Sequence, residues 1–374
     1  MIAKKGPAFW AVIIALTLSL SAWGAGQGRR NQQQAPSALD QLNQQPPQKQ
    51  QQQIIKVETK EEGDAYNTLV KEQDPAKKAA MAEEFVSKFP SSELLATAEM
   101  VRFVSYSQLG KHKEAVAAGE QAIDATVKLG EKLIAKADAD SKLSDKDKDA
   151  VRKKDKNAIF LDKNSPVFQT FMSNADRQIL ACYKQILQEY QALADMPKAF
   201  EWGEKAIGYK PDDVDTLATV AYIMAERPPL NEAEQAKQMK IAEDHVNQAM
   251  TLLPNWLSTP DAKGTDQAAL TSQLHYTLGL VYLRQKRLGS SQQEFMTALK
   301  SKPSDSVTYY RLGLAYVQDQ KNDQAMDAFA KSVFLKGVAE QPARDNLKAL
   351  YVLKNKSEQG MEDYIQSAGK QIGQ

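Results

Sequence analysis

The chain has 374 residues, enough for two compact domains or one extended array. Its 42% apolar residues supply a sizeable buried surface, and its 25% charged residues sum to only +1, a balance that argues against a nucleic-acid partner, which would favour a basic face. The single cysteine, Cys182, excludes an intramolecular disulfide; within Ile179-Leu180-Ala181-Cys182-Tyr183 it reads as a small buried residue on a helix.

In chain order, Lys4 and Lys5 precede an apolar stretch from Ala8 to Leu20, and Ser21-Ala22-Trp23-Gly24-Ala25 follows it. Residues 1–24 therefore read as an export signal cleaved after Gly24, the alternative being a retained, uncleaved anchor. Either way the expected location is outside the cytoplasm: periplasmic, or held at the inner membrane. Residues 25–62 are Gln-rich around Pro46-Pro47 and read as a disordered linker, with folding expected from near Gly63. Residues 63–124 read as N-terminal helical hairpins. A short helix is expected over Ala65 to Lys71, and a second opens on Asp74-Pro75, carries Ala79, Ala82, Phe85 and Phe89, and stops at Pro90. Leu94 to Leu109 and the segment around Ala115 to Ile123 supply the next pair.

Residues 125–166 are a charged insertion. Lys128, Lys132 and Lys136 space one helix, and Ser144-Asp145-Lys146-Asp147 has the form of a capping box opening another, so a protruding helical arm is expected, a partly disordered loop being the alternative. Residues 167–254 resume the pairs: a helix over Asp176 to Ala194, then Ala199 to Ile207, which repeats the 115–123 phrase. Leu217, Val220, Ala221 and Met224 then face Ala242, Ala249 and Pro254 across a turn lengthened by Arg227-Pro228-Pro229-Leu230. A second insertion, 255–271, contains Trp256 and Gly264.

Residues 272–339 carry one phrase twice. Leu278-Gly279-x-x-Tyr282, Ser291, Phe295, Ala298 and Pro303 recur 34 residues later as Leu312-Gly313-x-x-Tyr316, Ala325, Phe329, Ser332 and Gly337. The glycine removes a side chain where a second helix must come close, and each helix pair presents more apolar surface than it can bury alone. This series resembles the tetratricopeptide repeat (TPR) family, an array of antiparallel helix pairs. The resemblance implies an all-α fold, an α-α superhelix or TPR-like solenoid of about six helical hairpins. Residues 340–374, with Leu347, Tyr351 and Tyr364, read as a degenerate capping repeat. Gly119 and Gly203 stand where the family has an aromatic, and Glu84 to Ser92 is similar to short repeats of bacterial cell-envelope TPR proteins.

Catalytic and metal motifs fail on inspection. Asp145-x-Asp147-x-Asp149 starts like a calcium loop, but Ala150 stands where the turn glycine belongs and Lys156 at the last ligand position. His112, His245 and His275 are scattered without cysteine partners, and no serine sits in a nucleophile elbow. Neither metal nor cofactor is expected, and the chain is not expected to be an enzyme. An enzyme with its site in the insertions is the remote rival.

By the family register, Tyr276, Leu280, Leu283 and Arg284 of one repeat and Tyr310, Leu314, Val317 and Gln318 of the next line the inner face. If exposed, they form an apolar stripe with aromatic anchors for an extended peptide or a helix; the alternative is that neighbouring helices or the Trp256 insertion cover them. The family's chaperone-tail clamp has Lys and Asn where this chain has Tyr276 and Leu280, which argues against a terminal carboxylate. The expected role is a scaffold or adaptor in the bacterial cell envelope, binding a protein or peptide in the groove, with a self-assembling envelope component as the alternative. Oligomeric state stays open, and a membrane enters only through a retained anchor.

Overall fold

Capping residues set where the helices begin. Thr59 accepts the backbone N–H of Glu62 at 3.1 Å while the Glu62 carboxylate reaches back to the N–H of Thr59 at 3.3 Å, opening α1 (Lys60–Lys71). Asp74 followed by a proline opens α2 (Pro75–Lys88). The computed structural model describes residues 54–156, 158–259 and 262–372; the expected export signal and most of the expected linker lie outside them. All regular structure among the described residues is helical, in fifteen helices, as the all-α reading requires. None of these helices is long and apolar enough to cross a membrane.

The chain divides into two compact units, at Trp202 and Gly203. In the first, α2 packs on α1 and on α3 (Leu95–Gln108), α3 on α4 (His112–Ser141), and α4 on α6 (Pro166–Ala192). α5 (Asp145–Lys154) lies between the last two in sequence, and α7 (Met196–Tyr209) runs across the division. Cys182 of α6 is buried with its sulfur 3.6 Å from that of Met100, and burial pushes the thiol up, away from reactivity.

The linker and arm expectations both need correction in this unit. Folding starts inside the expected linker: Ile54 is buried with Leu133, Ala137, Leu161 and Phe168, and the first helix begins at Lys60. The insertion is no free arm over its whole length either. Its first part continues α4 as a single helix of 30 residues, and Lys136, paired with Asp140 of the same helix at 2.7 Å, ties it to the carbonyl of Ile159 at 2.5 Å. Only α5 has no buried residue; the expected capping box at Ser144 and Asp147 opens it. Sparse apolar residues were enough here, because Leu133 and Leu161 meet Ile54 from far along the chain.

The second unit contains α8 (Val214–Glu226), α9 (Glu232–Trp256), α10 (Gln267–Arg284), α11 (Leu288–Ser301), α12 (Ser306–Gln318), α13 (Asn322–Leu335), α14 (Glu340–Asn355) and α15 (Met361–Gly369). Successive helices pack as antiparallel pairs, and the first helices of neighbouring pairs also touch, α8 on α10 and α10 on α12. Pro254 does not end its helix, which continues to Trp256. α14 and α15 close the unit on α13, with Leu347, Met361 and Ile365 in one core with Phe329.

Two devices make the hairpins. A Cβ on Gly279 would lie 2.8 Å from the Phe295 ring and one on Gly313 2.5 Å from the Phe329 ring, so the second helix sits where only a bare backbone fits. Ser291 then donates to the carbonyl of Gly279 at 2.8 Å. The turn is the second device. Gly110, Ala194, Lys286 and Gln320 all take left-handed φ between 58° and 67°. The residue after each donates its N–H to a tyrosine carbonyl five back, Tyr106, Tyr190, Tyr282 and Tyr316, at 2.9 to 3.0 Å.

Leucine at position 279 or 313 would drive the paired helices apart. Each variant is expected to lose about 1–3 kcal/mol, read as a lower denaturant midpoint; unchanged midpoints in both would refute the crossing. Lys286→Gly and Gln320→Gly should shift the midpoint the other way, each by about 0.5–1 kcal/mol, because left-handed backbone strains a residue that carries a Cβ.

Candidate partner-binding face

The first helices α8, α10 and α12 each bring polar or aromatic side chains to one face of the second unit. α8 ends in Tyr222 and Glu226, α10 contributes Tyr276 and Arg284, and α12 contributes Tyr310 and Arg311. Tyr222 and Tyr276 stack tilted with ring centres 6.1 Å apart, and Tyr276 rests on Phe295 at 5.8 Å. Beneath the rings is a charged knot. The Tyr276 hydroxyl donates to one oxygen of Glu226, and Arg311 donates to the other at 2.8 Å. Burial, then the Glu226 charge, holds the Tyr276 phenol far above its ordinary value. Burial opposes the charge on Arg311, but the Tyr276 oxygen and Glu226 outweigh it and hold that guanidinium above its ordinary value. Arg284 has the opposite fate: burial first, then repulsion from Arg311, lowers it.

The inner-face residues expected from sequence divide into three groups. Leu280 (0% exposed) and Leu283 (7%) are core, covered by neighbouring helices, and Tyr276 (6%) shows almost none of its surface. Tyr310 and Leu314 are half-buried against the core around Phe329, with the Tyr310 ring 5.9 Å from it. Arg284 is half-buried, while Val317 and Gln318 are exposed. A continuous apolar stripe is therefore absent from α10, where stacking of α8 and α12 consumes it. Sequence reading also overlooked Tyr222, Glu226 and Arg311. One signal for Arg311 was present: it occupies the register of Thr277, which is wholly buried, and a charge at such a position demands a partner.

The histidines serve as ties between helices. His112 meets the buried Glu189 at 2.6 Å, His245 meets Glu204 at 2.8 Å, and His275 meets Glu294 at 2.7 Å. Glu189 also accepts from Ser107 at 2.5 Å and from Gln185 at 2.7 Å, so its oxygens are fully engaged in structure.

Because Tyr276 is packed, its replacement tests the core before it tests any partner. Tyr276→Ala should cost about 3–5 kcal/mol, as for other large buried aromatics. Tyr276→Phe, which removes only the donor to the Glu226 carboxylate, should cost about 1.5–3 kcal/mol. Thermal or urea unfolding followed by circular dichroism separates the two, and equal stabilities would place the ring outside the core.

The family model described as tetratricopeptide repeat matches residues 272–305 and 307–336. A comparison with curated proteins found no match. Among solved structures, the chain is similar to BtubC (BKLC) from P. vanneervenii, at 14% identity over 78% of this chain and 93% of that one, with a TM-score of 0.42. It is also similar to the C-terminal part of a TPR repeat-containing protein from Cytophaga hutchinsonii, at 13% identity over 84% and 94%, with a TM-score of 0.42. A further likeness is to the yeast Sti1 TPR2AB domain in its pHSP90 complex, at 11% identity over 84% and 98%, with a TM-score of 0.26. The phrase repeated at 34 residues, its glycine–phenylalanine crossings and the family match make α10–α11 and α12–α13 two tetratricopeptide repeats.

Proposed function

We propose that the chain is a non-catalytic scaffold or adaptor that holds a segment of another protein on the face built by α8, α10 and α12. The observation that carries this reading is the row of partly exposed side chains on successive first helices. Tyr222 is 38% exposed, Arg284 is half-buried, and Val317 and Gln318 are open on the next helix. Aromatic and arginine side chains on a rigid frame are the residue types that anchor protein interfaces, and a stack of packed helices supplies the frame. The Lys4-Lys5 pair and the apolar run after it favour work in a bacterial cell envelope, with the glutamine-rich stretch as a tether.

The test is capture from envelope extract by crosslinking, with the wild-type chain beside a Tyr222→Ala, Arg284→Ala variant. That variant should keep its helical content and lose most of the captured partner, whereas Lys146→Ala with Lys148→Ala on α5 should capture as the wild type does. Equal capture by both variants would remove the face from the function. The mass of the purified chain separates the adaptor from a self-assembling component: a monomer favours the former, a defined oligomer built through this face the latter.

A further inference from the structure

Arg311 and Glu226 both act on Arg284, and Glu226, Arg311, Asp305 and Arg227 act on the Tyr222 ring. Asp305 is occupied as the cap of α12, accepting the N–H of Val307 at 3.1 Å and the hydroxyl of Thr308 at 2.8 Å. Glu226 spends one oxygen on Tyr276 and the other on Arg311. Arg284 has no hydrogen-bonded or ion-paired partner among the described residues, and its Nε, like that of Arg311, is buried without an acceptor. A half-desolvated guanidinium with unused donors is costly to hold, and the cost is relieved when an anion accepts from it. Resting on the reading of this face as a binding surface, we propose that Arg284, with Arg311 beside it, receives an acidic side chain, Asp or Glu, from an extended segment of the partner. The planar guanidinium fork matches a carboxylate, and the Tyr222 ring, stacked on Tyr276 and 38% exposed, offers apolar cover for the neighbouring partner residue. The site differs in kind from recognition of a chain terminus, since the donors are two arginines on successive first helices.

The experiment pans a random peptide library against the full chain, with every peptide fused through its C-terminus so that only side chains can supply a carboxylate. Retained peptides should be enriched in Asp or Glu at one position by about tenfold, the scale of one charge-assisted hydrogen bond. Enrichment should fade as salt rises and vanish for Arg284→Gln. As a check independent of that variant's folding, soluble polyglutamate should release peptides bound to the wild-type chain and polyglutamine should not. Retention of peptides without acidic enrichment, or with enrichment untouched by Arg284→Gln, overturns the acidic site and leaves peptide binding by the face standing. Failure of the wild-type chain to retain any peptide overturns both.

Discussion

The close crossing of two helices within each repeat is the constraint on which the rest depends. Phe295 and Phe329 lie against Gly279 and Gly313 at distances that no Cβ tolerates. The rings bury fully because the backbone opposite them is bare, and the pair becomes a rigid unit with an apolar side left over. That leftover side drives stacking: α10 meets α8 and α12, and Leu280 disappears between them. The left-handed turn after each first helix fixes the angle at which the second returns, through one N–H to tyrosine carbonyl bond repeated in four hairpins.

Stacking has an electrostatic consequence. Burying the apolar stripe of α10 also draws Glu226, Arg284 and Arg311 into a partly dehydrated layer, where charges interact more strongly than in water. Glu226 satisfies the phenol and one arginine, and the second arginine stays unmatched. The same packing that removes hydrophobic residues from the candidate groove thus leaves it polar, aromatic and cationic. Recognition on such a face is directional and sensitive to salt, unlike the burial of an apolar helix.

The first unit uses the opposite strategy. Its long charged insertion has little to bury by itself, yet α4 extends into it without a break and Ile54 packs onto it from before the first helix. A segment outside any repeat thus becomes structural by covering apolar residues that the repeats leave uncovered.

The sequence by itself determined the fold class and the register of the two regular repeats, because both rest on local spacing: glycine, aromatic and small residues at helical intervals, repeated at 34. Capping at Asp74 and at Ser144 was legible for the same reason, as each cap closes within four residues. Which inner-face residues stay open was not legible. Leu283 and Val317 share one register position, but the first is buried and the second exposed, since exposure depends on what neighbouring helices cover. The participation of Glu226 was hidden as well. It lies 50 residues from Tyr276 and 85 from Arg311, and only the stacking of three first helices brings the three together.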